Sequence, residues 1–240
     1  MIATGSGVRP GMFPLGSVES RAAARVLAQA KARRDDFTPE LLRAVDDPLE
    51  WLQRHTRTHD SHWREAGASN PYRPFPDKPY FRPLLTMIQQ QPVLFIEKSR
   101  DMMISWLCVG FFTHAAMTNE HREVLFQSQK EDKAAELVDY AKTLYDQQDD
   151  ALKRRFPLAK AVREQSALKL EFANGSRIIG IPEGADQIRS YHPWGLLMDE
   201  AAFQPEAGEA YDAAVPVCQK IVVVSSAGPG WFADFVTGAL

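Results

Sequence analysis

The stretch from Pro92 to Met117, PVLFIEKSRDMMISWLCVGFFTHAAM, constrains the fold more than any other. Val93 to Ile96 is a short apolar run of the kind that forms a buried strand. Glu97-Lys98-Ser99-Arg100-Asp101 is a polar turn. From Met103 and Ser105 to about Met117 the residues are mostly apolar and read as a helix. Strand, turn and helix in that order are the context of a phosphate-binding loop. The usual pattern, G-x-x-x-x-G-K-[ST], matches Lys98 to Ser105 only at Ser105. Lys98 stands at the first Gly, and Met103 and Ile104 stand at the second Gly and the Lys. The chemistry itself needs backbone N–H groups at a helix N-terminus, a cation for the β- and γ-phosphates, a hydroxyl for Mg2+, and an acid on a neighbouring strand. Lys98 or Arg100 is a candidate cation, and Ser105 the candidate hydroxyl. A buried α/β unit with a charged turn accounts for the same residues, so the rest of the chain must decide.

Two later runs bear on that decision. Trp194 to Ala202, WGLLMDEAA, is an apolar strand ending in two adjacent acids, the Walker B pattern. The first acid, Asp199, suits Mg2+ through its water shell; the second, Glu200, suits orienting or deprotonating an attacking water. Lys220 to Gly230, KIVVVSSAGPG, is a third buried strand that runs into a turn of small residues. Together the three segments are far more specific than any one. The reading requires the loop and the Asp199-Glu200 tip to adjoin one another in space.

KSRDMMISW, then LLMDEA, then VVVSSAGPG resembles the ATPase domain of the large terminase subunit, the DNA-packaging motor of tailed bacteriophages. That family carries a deviant loop of the form K-x-R-x-x-G-x-[ST]-W. Lys98, Arg100, Ser105 and Trp106 fit it; Met103 stands where a Gly is expected, and a side chain there crowds the phosphates. The resemblance spans roughly Tyr80 to Phe235. It implies an α/β P-loop NTPase of the ASCE or RecA-like type, a mostly parallel sheet flanked by helices.

The resemblance also implies roles. ATP would lie on Lys98, Ser99, Arg100, Asp101, Met102, Met103, Ile104, Ser105 and Trp106, with Mg2+ held by Ser105 and Asp199. Lys98 and Arg100 would pair with phosphate oxygens, and Glu200 would activate water. Ser225, Ser226, Ala227 and Gly228 would couple loss of the γ-phosphate to the segment that grips DNA. Arg189 would reach a neighbouring subunit's nucleotide as an arginine finger, or else bond loop carbonyls. Tyr80 or Phe81 would stack on adenine while Arg82 or Gln89 reached its edge, unless these aromatics only anchor the preceding linker. The implied partners are double-stranded DNA, a portal protein, a small terminase subunit and further copies in a ring, in the host cell cytoplasm. Family members usually carry a C-terminal nuclease domain. This sequence reaches only Leu240, so no nuclease activity is expected, and the sheet is expected to lack its last strands at one edge. A helicase-like ATPase and a degenerate, non-hydrolysing binding module remain the alternatives.

The 240 residues suffice for one large or two small domains. We divide them into an arm and helical extension over 1–70 and the ATPase core over 71–240. The net charge of −3 excludes a protein that grips nucleic acid over its whole surface, so contact with DNA would be local. Cys108 and Cys218 lie in apolar segments and read as free thiols; no export signal and no membrane span is expected.

Along the chain, the Gly-, Pro- and Ser-rich arm ends near Ser17, and a helix is expected over Val18 to Arg34. A second helix starts at Thr38-Pro39-Glu40 and runs to Asp46. A third, from Pro48, carries Trp51, His55, His59 and His62. The histidine spacing places them on one helix face, either a weak metal site or a solvated surface. Asn70 to Pro83 reads as an extended linker into a helix at Leu84 to Gln90. Glu123 to Gln127 reads as a strand, Lys130 to Gln147 as its helix, and Arg154-Arg155 as a basic turn. Leu168 to Ile181 reads as a hairpin about a two-residue Asn174-Gly175 turn. Gly184 to Ser190 reads as a polar loop.

Overall fold

A computed structural model of the protein describes residues 38–60, 62–65 and 67–239. The arm and the helix expected over Val18 to Arg34 lie outside the described residues. Two short helices come first, α1 (Pro39–Asp46) and α2 (Pro48–His55). Asp47 caps α2: its carboxylate accepts from the Leu49 N–H, and Pro48 opens the first turn, where no N–H is needed. The helix stops at His55, short of the expected His62. Thr56 is extended, and its hydroxyl donates to the Leu52 carbonyl, satisfying a group at the helix end. The chain then forms β1 (Arg57–His59), which pairs antiparallel with β2 (Tyr72–Pro74). β-Branched Thr56 and Thr58 favour that extended form. His55 pairs instead with Asp149, and His62 with Glu65, so the three histidines share no helix face. Among the described residues no group of His, Cys, Asp and Glu is arranged to hold a metal.

β1 and β2 fall on either side of residue 70. Pro39–Leu240 forms one compact unit. Next comes α3 (Phe81–Gln90), which begins three residues before the expected Leu84. Then follow β3 (Val93–Glu97), α4 (Ile104–Thr118), β4 (Glu123–Ser128) and α5 (Glu131–Asp146). Arg154-Arg155 is not a turn but the end of a short helix, α6 (Asp150–Arg155), where basic residues complement the helix dipole.

The hairpin joins β5 (Lys169–Glu171) to β6 (Arg177–Pro182). Its turn is one residue longer than expected: the Phe172 N–H donates to the Ser176 carbonyl, leaving Ala173, Asn174 and Gly175 as the loop. Gly175 takes the left-handed conformation such a loop requires, with φ 84°. The expected polar loop at Gly184 holds a short helix, α7 (Ala185–Arg189). The chain continues through β7 (Gly195–Asp199), α8 (Ala207–Ala214), β8 (Lys220–Ser225) and α9 (Trp231–Thr237).

The main sheet has the order β3-β8-β7-β4-β6-β5, parallel except for β5. β7 and β8 are buried along nearly their whole length, which is why they read as continuous apolar runs. Every residue of α4 from Trp106 to Met117 is buried, between the sheet and α2, α3 and α5. A helix apolar on all sides must be enclosed in this way. The opposite face of the sheet is covered by Ile188, Ala207, Ala210, Ala214 and Phe232 of α7, α8 and α9. Cys108 is buried, Cys218 half-buried, and both are free. No described helix is long and apolar enough to cross a membrane.

Candidate active site

The strand order places β8 between β3 and β7, so the loop and the twin acids do not sit on neighbouring strands. The gap between the two tips is filled by Ser225 and Ser226. The start of the loop is tied to β8: the Lys98 N–H donates to the Ser225 carbonyl at 2.9 Å. It ends with two left-handed residues, Asp101 (φ 61°) and Met103 (φ 58°). Met103 is the residue before α4 and offers no side-chain cap. The first intrahelical bond runs from the Leu107 N–H to the Met103 carbonyl, so the preceding N–H groups have no acceptor within the helix. That backbone is the donor array an anion needs. It also explains why a Gly is expected at Met103, since a left-handed residue favours one.

The side chains converge on this point. Ser105 donates its hydroxyl to Asp199 Oδ1 at 2.7 Å. The Lys98 ammonium lies 2.8 Å from Glu200 Oε1, and its side chain is only 10% exposed. Glu200 Oε2 accepts from the Ser226 hydroxyl at 2.7 Å and from the Ser226 N–H at 3.1 Å. Glu200 itself is left-handed, with φ 53°, which turns its carboxylate back toward β8. The Ser225 hydroxyl accepts from the Ala202 N–H, and Gln204 Nε2 donates to the Asp199 carbonyl, fixing the segment that follows β7.

The two acids differ in proton affinity. Burial pushes the Asp199 carboxyl up to about 6 against the Ser105 hydroxyl, and the charge of Glu200 adds to the rise. Burial acts the same way on Glu200, but the Lys98 ammonium and the two Ser226 donors outweigh it and hold that carboxyl below its ordinary value. Adjacent carboxylates thus differ in how readily each takes a proton.

Other expected site residues lie elsewhere. Arg100 is exposed at the turn and makes no ion pair among the described residues. Arg189 ends α7 and, among the described residues, pairs only with Asp186, whose side chain is 92% exposed. Ala227 and Gly228 lead away from Ser226, and Gly228 packs so close to Ala202 that a Cβ there would stand 3.0 Å from the Ala202 methyl. Phe81 is fully buried in the core. Arg82 pairs with Asp47 at 2.7 Å, and the Tyr80 hydroxyl donates to the Met102 carbonyl. Gln89 lies at the far end of α3, beside His114 and Lys220. Conversely, Glu136 and Tyr140 of α5 and Arg73 of β2 border the loop. Nothing local in the sequence marks them, because their helix and hairpin reach the loop only through packing.

No protein-family model matches this sequence, and no curated protein matches it either. The HK97 bacteriophage large terminase superposes with a TM-score of 0.55 at 10% identity, over 80% of this chain and 40% of that one. The chain has the fold of a phage large terminase. It spans about two fifths of the HK97 terminase. The ATPase domain of the Thermus phage P74-26 large terminase superposes at 0.46 with 14% identity, over 75% of this chain and 74% of that one. The large terminase of another thermophilic bacteriophage superposes at 0.43 with 12% identity, over 74% of this chain and 38% of that one.

Proposed function

We propose that this chain is an ATP-hydrolysing motor domain that drives double-stranded DNA into a viral procapsid. One observation carries the reading: Lys98, Ser105, Asp199 and Glu200 meet at the tips of three neighbouring parallel strands. The uncapped start of α4 and the Lys98 ammonium suit a triphosphate. Ser105 and Asp199 offer hard oxygen atoms, which suit Mg2+, an ion that keeps several waters and needs few protein ligands. When bound, Mg2+ would neutralise charge on the transferring phosphoryl group.

Glu200 is the residue that would accept a proton from water. Lys98 holds it at 2.8 Å; pairing of Lys98 with phosphate would free the carboxylate. Ser226 would register that change through its two bonds to Glu200 and pass it along Ala227 and Gly228 toward α9. Arg189, held by the exposed Asp186, could reach a neighbouring copy and act there as an arginine finger, a contribution of roughly 10³-fold or more in rate. The reading carries with it a portal protein, a small terminase subunit and a ring of copies as partners, in the host cytoplasm. Met103 and Ile104 in the loop favour, as second reading, a degenerate module that does not hydrolyse ATP and acts by binding a partner.

Glu200→Gln separates the two. Under the motor reading the variant retains ATP binding, measured by calorimetry, and loses turnover by a factor of roughly 10² or more, on the order of the contribution of a general base. Turnover equal to that of the unaltered chain would overturn the assignment of Glu200.

A further inference from the structure

A cleft of about 470 Å³ opens at the N-terminal ends of the parallel strands, the opposite end from Lys98 and Glu200. Its size is that of a small-molecule site. Arg122 and Trp194, which immediately precede β4 and β7, line it together with Lys220, the first residue of β8. The Arg122 guanidinium lies over the Trp194 ring, its carbon 3.9 Å from the centroid. Among the described residues that guanidinium makes no hydrogen bond and no ion pair, and partial burial lowers its pKa. Lys220 is only 8% exposed, and its ammonium donates to the carbonyls of Ile88, Gln89 and Gln91. Those bonds satisfy its N–H groups without neutralising its charge, and burial lowers its pKa as well. Among the described residues the one acid on the wall is Asp46, which is exposed and pairs with neither cation. Val45, Pro48, Phe111 and Ala115 give the cleft an apolar side.

We propose that this cleft binds a carboxylate carried on an apolar body, with the Arg122 guanidinium as its partner. Charge taken out of water without a counter-ion is costly, and two such cations line one cleft. An anion seated between them relieves that cost. The surroundings select among anions. Lys220 has spent its N–H groups on carbonyls, so the open donors belong chiefly to Arg122. Trp194 covers one face of the guanidinium. The edge of a guanidinium offers paired N–H groups that match the two oxygens of a carboxylate. A phosphate would turn further charged oxygens toward the apolar side. A nucleic-acid strand would carry a row of such charges past Asp46. A hydrocarbon or aromatic body beside the acid head fills the apolar side instead. A small amphiphilic acid and the carboxyl-terminal residue of a peptide share this chemistry. The site stands apart from the nucleotide reading, because it shares no residue with the loop or the twin acids.

The test titrates the chain with 3-phenylpropionate, its amide and inorganic phosphate, followed by NMR through the indole signals, with that of Trp194 assigned from its loss in Trp194→Phe. On the unaltered chain the acid should move the Trp194 signal at millimolar concentration, with a Kd at least about tenfold below that of the amide. Arg122→Gln should raise the Kd of the acid about tenfold, and Arg122→Lys, which keeps the charge without the fork, should fall between. Lys98→Ala should leave the Kd of the acid unchanged within about twofold. A loss in Lys98→Ala as large as in Arg122→Gln would place the acid at the loop and overturn the site. Equal binding of acid and amide, or no movement with either, would overturn it on the unaltered chain, whatever the variants do. Phosphate bound as tightly as the acid would overturn the carboxylate assignment, and unchanged acid binding in Arg122→Gln would remove Arg122 as the partner. A peptide ending in phenylalanine, compared with its carboxyl-terminal amide, distinguishes the two sources. A Kd at least about tenfold below that of 3-phenylpropionate, lost on amidation, identifies a peptide end; a Kd no lower identifies a small acid.

Discussion

Met103 and Glu200 are non-glycine residues held in the left-handed region, with φ of 58° and 53°. Such backbone costs roughly 1–2 kcal/mol per residue. At Glu200 the conformation is matched by an ion pair and two hydrogen bonds. At Met103 no side-chain bond among the described residues compensates, so Met103→Gly should raise stability by about 1 kcal/mol in urea melts. A loss instead would mean that packing of the Met103 side chain outweighs its backbone strain. His114 is a second residue set by burial. Enclosure pushes its pKa down to about 4, although its Nε2 meets the Ala44 carbonyl at 2.9 Å, a bond that favours protonation. The unfolded histidine takes a proton below about 6.5, the folded one only below about 4. Its contribution is therefore present at pH 7 and lost as pH falls from 6.5 toward 4, on the order of 3 kcal/mol. Urea melts of the unaltered chain and of His114→Gln at about pH 7 and about pH 4.5 should show a shallower loss in the variant. Parallel curves would remove His114 as the cause.

Two helices have their C-termini finished by residues from elsewhere in the chain. Asn174, in the hairpin loop, donates its amide to the carbonyls of Ala116 and Met117 at 3.0 Å and Asn119 at 2.8 Å, closing α4. Lys220, at the start of β8, donates to the carbonyls of Ile88, Gln89 and Gln91 at the end of α3. Orphan carbonyls at a buried helix end are costly, so Asn174→Ala should lower stability by about 1–3 kcal/mol by chemical denaturation. A change under about 0.5 kcal/mol would show that water replaces the amide. Asn-Gly was legible as a turn signal, but its second role was not, because the helix it closes lies more than fifty residues earlier. The same limit explains the helix expected through His62. Spacing alone placed three histidines on one face, whereas pairing of β1 with β2 took Arg57–His59 into a sheet.

For the molecule as a whole, the loop, the twin acids and the small-residue turn form one unit only because β8 enters the sheet between β3 and β7. Any ligand of that unit should stabilise the entire compact body. ATP with Mg2+ at about 100 times its Kd should add about 2.7 kcal/mol. In a chain of 240 residues that amounts to a rise in Tm of about 5–10 °C. Lys98→Ala should abolish the rise at the same ligand concentration. No shift for the unaltered chain at millimolar ATP would argue against nucleotide binding altogether. The sequence by itself determined the three motif strands, their turns and the buried helix after the loop. Strands buried on both faces read as unbroken apolar runs, and turn chemistry is local. Only the tertiary structure decided that Lys98 meets Glu200 across 102 positions, that Ser226 bonds twice to the same acid, and that a hairpin from before residue 75 borders the loop. Those meetings depend on strand order and on which surfaces pack, and neither is encoded in the periodicity or propensity of any single segment.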